Sequence, residues 1–271
     1  MARTRVFDGA HLRATLIDLE VAPGKPSDRL MVTLDFRRVG KNDFDPPPRS
    51  SNFARKGFAQ LSIQTRANDW FVNADTYALE AALPEIVARF GEVRLLGYSM
   101  GGYGAFRFAD ALGAASVVAI SPQVSIDPQV VPFDLRYRED AAGFDPAVGD
   151  LAQAARSDLP GLIVLDPFVR ADLRHARMLQ RLFPQVELAR LNFGGHPAIR
   201  PLREAGRAWT IHKAAAEADS VDGTIQAAHR GIRRQSRRYW QGLASKAEAR
   251  RPALAATARR NAARLQAKGG Q

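Results

Sequence analysis

Between residues 58 and 200, short apolar runs alternate with segments of helical periodicity. FAQLSI (58–63), EVRLLG (92–97), ASVVAIS (115–121), LIVLD (162–166) and VELARLNF (186–193) read as strands. YALEAALPEIVARF (77–90), GGYGAFRFADAL (101–112), QAARSDL (153–159) and ADLRHARMLQRLF (171–183) read as the intervening helices. Strands that are apolar on both faces must be covered on both faces, and strands separated by helices pair in parallel. The expected fold is therefore α/β, a mainly parallel sheet with helices on both faces. ATLIDLEV (14–21) and LMVTLDF (30–36) add two earlier strands around the turn APGKPSD. NDFDPPPRSSN (42–52) must be an exposed loop, because three consecutive prolines remove backbone donors. Pro84 weakens or bends the helix at 77–90.

The chain has 271 residues and no cysteine, so disulfides, thiolate nucleophiles and cysteine zinc sites are excluded. Its net charge of +11 is placed unevenly: residues 201–271 hold 15 Lys or Arg against 5 Asp or Glu. Residues 1–200 are thus close to neutral, and the charge says nothing about nucleic-acid binding by the main body. The C-terminal part is rich in alanine and arginine and poor in branched apolar residues, too little to fold alone. The expected organisation is a catalytic domain over 1–210 and a basic helical extension over 211–271, fraying at AKGGQ (267–271). The opening MARTRVFDGAHLRATL has no uninterrupted apolar segment and no stretch approaches 18 apolar residues. Neither a signal peptide nor a membrane span is expected, and a cytoplasmic location is.

Chemistry enters at LLGYSMGGYGAFRFA (95–109). Ser99 occupies the junction between a strand and a helix, flanked by Gly97 and Gly101. Small neighbours relieve crowding on a tight turn and let the serine hydroxyl project, with the helix N-terminus beneath it. The Met100 backbone N–H is then one donor for a developing oxyanion. GYSMGGYG matches neither G-x-G-x-x-G nor a P-loop, which disfavours nucleotide binding.

A serine nucleophile needs a base. Of the five histidines, His196 in LNFGGHPAIR stands just beyond a strand, where doubly wound sheets assemble their sites. Asp166, at the end of LIVLD, is the first choice for the acid that orients it, and Asp172 at the start of the next helix is the alternative. Arg66, Asn68, Asp69 and Trp70 follow a strand expected beside the nucleophile strand. With Tyr98 they are candidates for the pocket, suited to a polar or carbohydrate-linked substrate. RRQSRRYW (233–240) sets four arginines beside two aromatics, a patch for an anionic membrane surface or nucleic acid, or a solvated helix face with ordinary packing.

GYSMG around Ser99, the acid after a strand and GGH ending at His196 resemble the α/β-hydrolase superfamily over residues 12–210. The resemblance implies a serine hydrolase that cleaves a carboxylic ester or related acyl compound through an acyl-enzyme. No metal or organic cofactor is implied. The same acyl-enzyme serves an acyltransferase, and a non-catalytic binding protein with a basic tail is the alternative outside enzymology. The resemblance matches Phe36, or else Arg37, to the second oxyanion donor, although LMVTLDFRRVG lacks the usual His-Gly. Only about 40 residues separate the post-serine strand from the acid strand, room for at most a small lid.

Overall fold

The computed structural model describes residues 3–268. An eight-stranded sheet forms its centre. In chain order the strands are β1 (Arg3–Asp8), β2 (Leu12–Ile17), β5 (Arg29–Leu34), β6 (Ala59–Thr65), β7 (Glu92–Tyr98), β8 (Ser116–Ile120), β9 (Gly161–Leu165) and β10 (Val186–Arg190). Two short strands, β3 (Glu20–Ala22) and β4 (Lys25–Pro26), make a separate ribbon. The order across the main sheet is β1-β2-β6-β5-β7-β8-β9-β10. From β6 to β10 every pairing is parallel, and only β2 runs against its neighbours.

The central strands alternate between two cores, which is why they read as unbroken apolar runs. Val117 and Ala119 of β8, with Ile163 and Leu165 of β9, face one side. Val118 and Ile120, with Leu162 and Val164, face the other. The first face is covered by α2 (Thr76–Val87), α3 (Met100–Arg107) and α4 (Arg170–Leu182) through Leu83, Phe106 and Leu179. The second is covered by α1 (Ser51–Arg55), α5 (Arg200–Glu204), α6 (Trp209–Glu217) and α7 (Thr224–Ile232) through Phe53, Leu202, Ile211 and Ile225. Helix α6 crosses position 210 and contributes Ile211, Ala214 and Ala215 to this second core.

Several boundaries differ from the sequence expectation. Strand β1 was not anticipated: RTRVFD carries four polar or charged residues, yet it finds a partner at the sheet edge. Helix α2 continues through Pro84 but stops at Val87. No α-helix forms at QAARSDL. A single 3-10 turn, Leu151–Ala154, stands there, its N-terminus capped by Asp150 accepting from Ala152 N–H. Arg156 then pairs with Asp158 immediately before Pro160, and the chain enters β9 extended.

The last two helices are α8 (Arg237–Ala247) and α9 (Pro252–Lys268), packed on each other through small residues such as Ala244, Ala247, Ala255 and Ala258. Most of AKGGQ lies outside the described residues. Among the described residues no helix is long and apolar enough to cross a membrane.

Candidate active site

Strand β7 ends at Tyr98 and α3 starts at Met100, leaving Ser99 alone between them. Its backbone has φ 51° and ψ −116°, a conformation that costs a non-glycine residue of order 1–3 kcal/mol. The turn is held from below: Ser99 N–H donates to Ile120 O at 2.8 Å, and Gly102 N–H donates to Ser99 O at 2.8 Å. Gly97 and Gly101 are required by space. A Cβ on Gly97 would fall onto the Gly101 carbonyl, and one on Gly101 would lie 2.6 Å from Leu34 O and 2.7 Å from Asp35 O.

His196 comes from the loop after β10. Its Nε2 lies 3.0 Å from Ser99 Oγ, and its Nδ1 lies 2.9 Å from Asp172 Oδ2. Asp172 sits in the first turn of α4 and is wholly buried. With Nδ1–H donating to the carboxylate, Nε2 is left as an acceptor for the serine proton, the tautomer that nucleophile activation needs.

The acid foreseen first lies elsewhere. Asp166 accepts from Phe168 N–H at 3.0 Å and from Gly195 N–H at 2.9 Å, so it ties the end of β9 to the histidine loop. Asp172, six residues further along the chain, reaches the imidazole instead. Its second oxygen, Oδ1, lies 2.8 Å from Arg136 Nη1, within ion-pair distance but off the line of an N–H bond. Arg136 also grips Asp134 with two N–H groups, at 2.8 and 2.7 Å. Burial opposes the Asp134 charge, but the hydrogen bonds from Arg136 and His175 outweigh it and hold the carboxyl well below its ordinary range. His175 closes the chain: Val124 N–H donates to its Nδ1 at 3.2 Å, which leaves its Nε2–H to donate to Asp134 Oδ2 at 2.9 Å. One guanidinium thus compensates two buried carboxylates, without which the charge on Asp172 would be costly to bury.

Tyr137, unmarked in the sequence, completes the polar cluster. Its hydroxyl lies 3.1 Å from His196 Nε2, and burial raises its pKa, so it remains a donor. Its ring packs 4.8 Å from that of Trp70. Nothing in the local sequence distinguishes this tyrosine from the core aromatics.

At the oxyanion side, Met100 opens α3, where a helix leaves backbone N–H groups without intrahelical partners. Across from it, Asp35 N–H still donates to Ile63 O at 3.1 Å, and Phe36 is the next residue as the chain leaves β5. Arg37 follows, with its Nε 2.7 Å from Asp140 Oδ2.

A cavity of about 540 Å³ opens beside these groups, its wall including Phe36, Arg37, Tyr98, Tyr137, Ile199 and Arg203. Of the pocket residues expected from sequence, only Tyr98 lines it. Trp70 is buried and donates Nε1–H to Gln123 Oε1 at 3.1 Å. Asn68 spans the backbone of Arg38, accepting from its N–H at 3.0 Å and donating to its carbonyl at 2.7 Å. Asp69 accepts from Thr65, Asn73 and the Phe71 N–H, and burial raises its pKa. Arg66 points its backbone N–H at His11 O and its side chain is exposed. These residues build the turn after β6 that supports the site. Among the described residues no group of three or more His, Cys, Asp or Glu side chains is arranged to hold a metal ion.

No family model matches the sequence, and no curated protein is significantly similar to it. Solved structures are similar. The capsule O-acetyltransferase of Neisseria meningitidis serogroup A has a TM-score of 0.52 at 14% identity, over 76% of this chain and 93% of that one. Est1E from Butyrivibrio proteoclasticus gives 0.51 at 14% identity, over 81% and 100%. A sugar hydrolase, YeeB, from Lactococcus lactis gives 0.50 at 13% identity, over 80% and 98%. The fold is that of the α/β-hydrolases.

On this α/β-hydrolase sheet Ser99, Asp166, Asp172 and His196 all lie beyond the carboxyl ends of parallel strands, where open α/β sheets carry their sites. The basic C-terminal helix α8 meets the same end. Tyr239 packs 5.6 Å from Phe193, three residues before His196, and Phe193 stacks on Phe168 at 4.3 Å. Trp240 donates Nε1–H to Arg234 O at 2.8 Å. Tyr239 therefore docks α8 onto the loop before His196, while Arg234, Arg237 and Arg238 stay exposed.

Proposed function

We propose that this protein is a serine hydrolase acting on a carboxylic ester or related small acyl compound. The reading rests on one observation, the unbroken relay from Ser99 Oγ through His196 to Asp172 at 3.0 and 2.9 Å. Ser99 Oγ attacks the carbonyl carbon as His196 Nε2 takes its proton, and Asp172 stabilises the imidazolium that results. The oxyanion is held by backbone N–H groups, Met100 at the start of α3 and Phe36 after β5. His196 then returns the proton to the leaving oxygen, and water repeats the sequence on the acyl-enzyme. Tyr137 stands beside Nε2, where its hydroxyl can donate to the leaving oxygen as that oxygen receives the proton. A cavity of about 540 Å³ suits a small substrate.

Treatment with a fluorophosphonate followed by mass spectrometry tests this directly. One adduct is expected, on Ser99, absent in Ser99→Ala and strongly reduced in His196→Ala. Folded protein that takes no label over a broad pH range would reject the assignment.

A further inference from the structure

The wall of the site is one-sided in its chemistry. The cavity at Ser99 adjoins a second, of about 390 Å³, and the two share Phe36, Tyr98 and His212. Three arginines line the pair, Arg37, Arg203 and Arg49, and no Asp or Glu does. Arg37 is matched by Asp140. Arg203, on α5 just past the histidine loop, has no carboxylate within ion-pair distance among the described residues. It lies close enough to Tyr98 to act on its phenol electrostatically.

His212 adds a donor whose proton is fixed by its neighbours. Asn52 accepts from Arg55 through Oδ1, which turns its Nδ2–H toward His212 Nδ1 at 3.2 Å. Nδ1 is therefore an acceptor, and Ser50 Oγ donates to it as well at 3.1 Å. Burial lowers the His212 pKa, so the ring is neutral and its one hydrogen is on Nε2. Burial also keeps the Tyr98 phenol protonated. The side-chain amide acceptors nearby are already engaged: Gln60 Oε1 by Ser50 N–H at 2.7 Å, and Asn52 Oδ1 by Arg55. What the wall offers a ligand is donors: a guanidinium, an imidazole N–H and a phenol.

We infer that the site takes an anionic substrate, an ester whose acyl or alcohol part carries a carboxylate or phosphate that Arg203 and His212 bind beside the nucleophile. This deepens the serine-hydrolase reading and rests on it for the reaction, while anion binding itself does not need turnover. An anion so held would place its ester carbonyl against Ser99 at a fixed distance, which neutral esters of equal size lack.

The test pairs p-nitrophenyl hemisuccinate with p-nitrophenyl butyrate, nearly equal in shape and different in charge, on the full chain at fixed ionic strength. In the wild type, kcat/KM is expected to favour the anionic ester by about tenfold, one charge-assisted contact. Arg203→Gln should erase that preference, read as the ratio of the two kcat/KM values, and Arg203→Lys should restore part of it. Equal rates for the two esters, or a preference that survives Arg203→Gln, overturn the inference and leave the hydrolase reading standing. In parallel, succinate, phenyl phosphate and butyramide are titrated calorimetrically into Ser99→Ala protein. Binding of either anion, lost in Ser99→Ala/Arg203→Gln, supports the site even if no ester is turned over, and the stronger of the two identifies the anion. Binding of neither anion, or of butyramide equally, overturns it.

Discussion

Ser99, His196 and Asp172 come from a strand–helix turn, a loop and the first turn of a helix, and the side chains that hold them separate two nearby carboxylates. Asp166 is fixed by two backbone N–H groups, so it braces the loop carrying Gly195 and His196. Asp172 is fixed by His196 on one oxygen and faces Arg136 with the other. Asp172→Asn is therefore expected to lower kcat by roughly 10³–10⁴, because the amide presents the wrong partner to Nδ1–H. Asp166→Asn keeps one acceptor oxygen and is expected to cost about tenfold or less, the scale of one backbone hydrogen bond. Steady-state kinetics on the two variants rank them, and a larger loss at Asp166 would reverse the roles. From sequence both carboxylates were visible, and each follows a strand by a few residues. What separates them is the direction in which α4 starts after Pro167, and periodicity carries no information about that.

At the scale of elements, the site is set by how close neighbouring pieces come. Gly97 and Gly101 let α3 start against β7 and the end of β5. The Gly-x-Ser-x-Gly spacing made this turn legible in advance. The brace from the C-terminal side was not. A Cβ on Gly242 of α8 would lie 2.7 Å from Phe193 Cγ, and Phe193 is already flanked by Phe168 and Tyr239. Gly242→Val should therefore push α8 off the loop that carries His196. The fluorophosphonate labelling rate is expected to fall by about tenfold or more, since small displacements of a reacting group are costly. The circular dichroism spectrum should change little, because the sheet and its cores do not depend on α8. An unchanged labelling rate would show that α8 does not position the loop.

For the molecule as a whole, acid sensitivity follows from its histidines. His175, His212 and His229 are all held below the ordinary imidazole pKa of 6.5, each mainly by burial. For His229 the value is lowered to about 4, with Arg233 and Arg230 nearby adding to the effect. Above pH 6.5 these rings are neutral in both the folded and the unfolded chain, and their burial costs no protons. As the pH falls from 6.5 toward about 4, the unfolded chain binds protons that the folded chain refuses, so stability falls. Urea midpoints are expected to drop between pH 7.5 and 5, and His229→Gln should flatten that drop. A midpoint independent of pH, or a slope unaffected by the variant, would show that these rings gain charge without unfolding.

The alternation of apolar runs with helical segments determined the parallel sheet, because strands covered on both faces must be apolar on both. The local chemistry of GYSMG and GGH likewise marked Ser99 and His196, since a strained turn and a loop beyond a strand end are sequence-local features. The tertiary structure decided the rest. It brought Asp172 rather than Asp166 to the imidazole, and it set Tyr137 beside Nε2 from a segment without helix or strand. It also carried Arg203 and His212 round to the nucleophile from helices on the second face of the sheet. The contacts of Ser99, Tyr137 and Asp172 with His196 join residues far apart in the chain at distances near 3 Å, and such distances are fixed by how the layers pack, not by any pattern along one strand or helix.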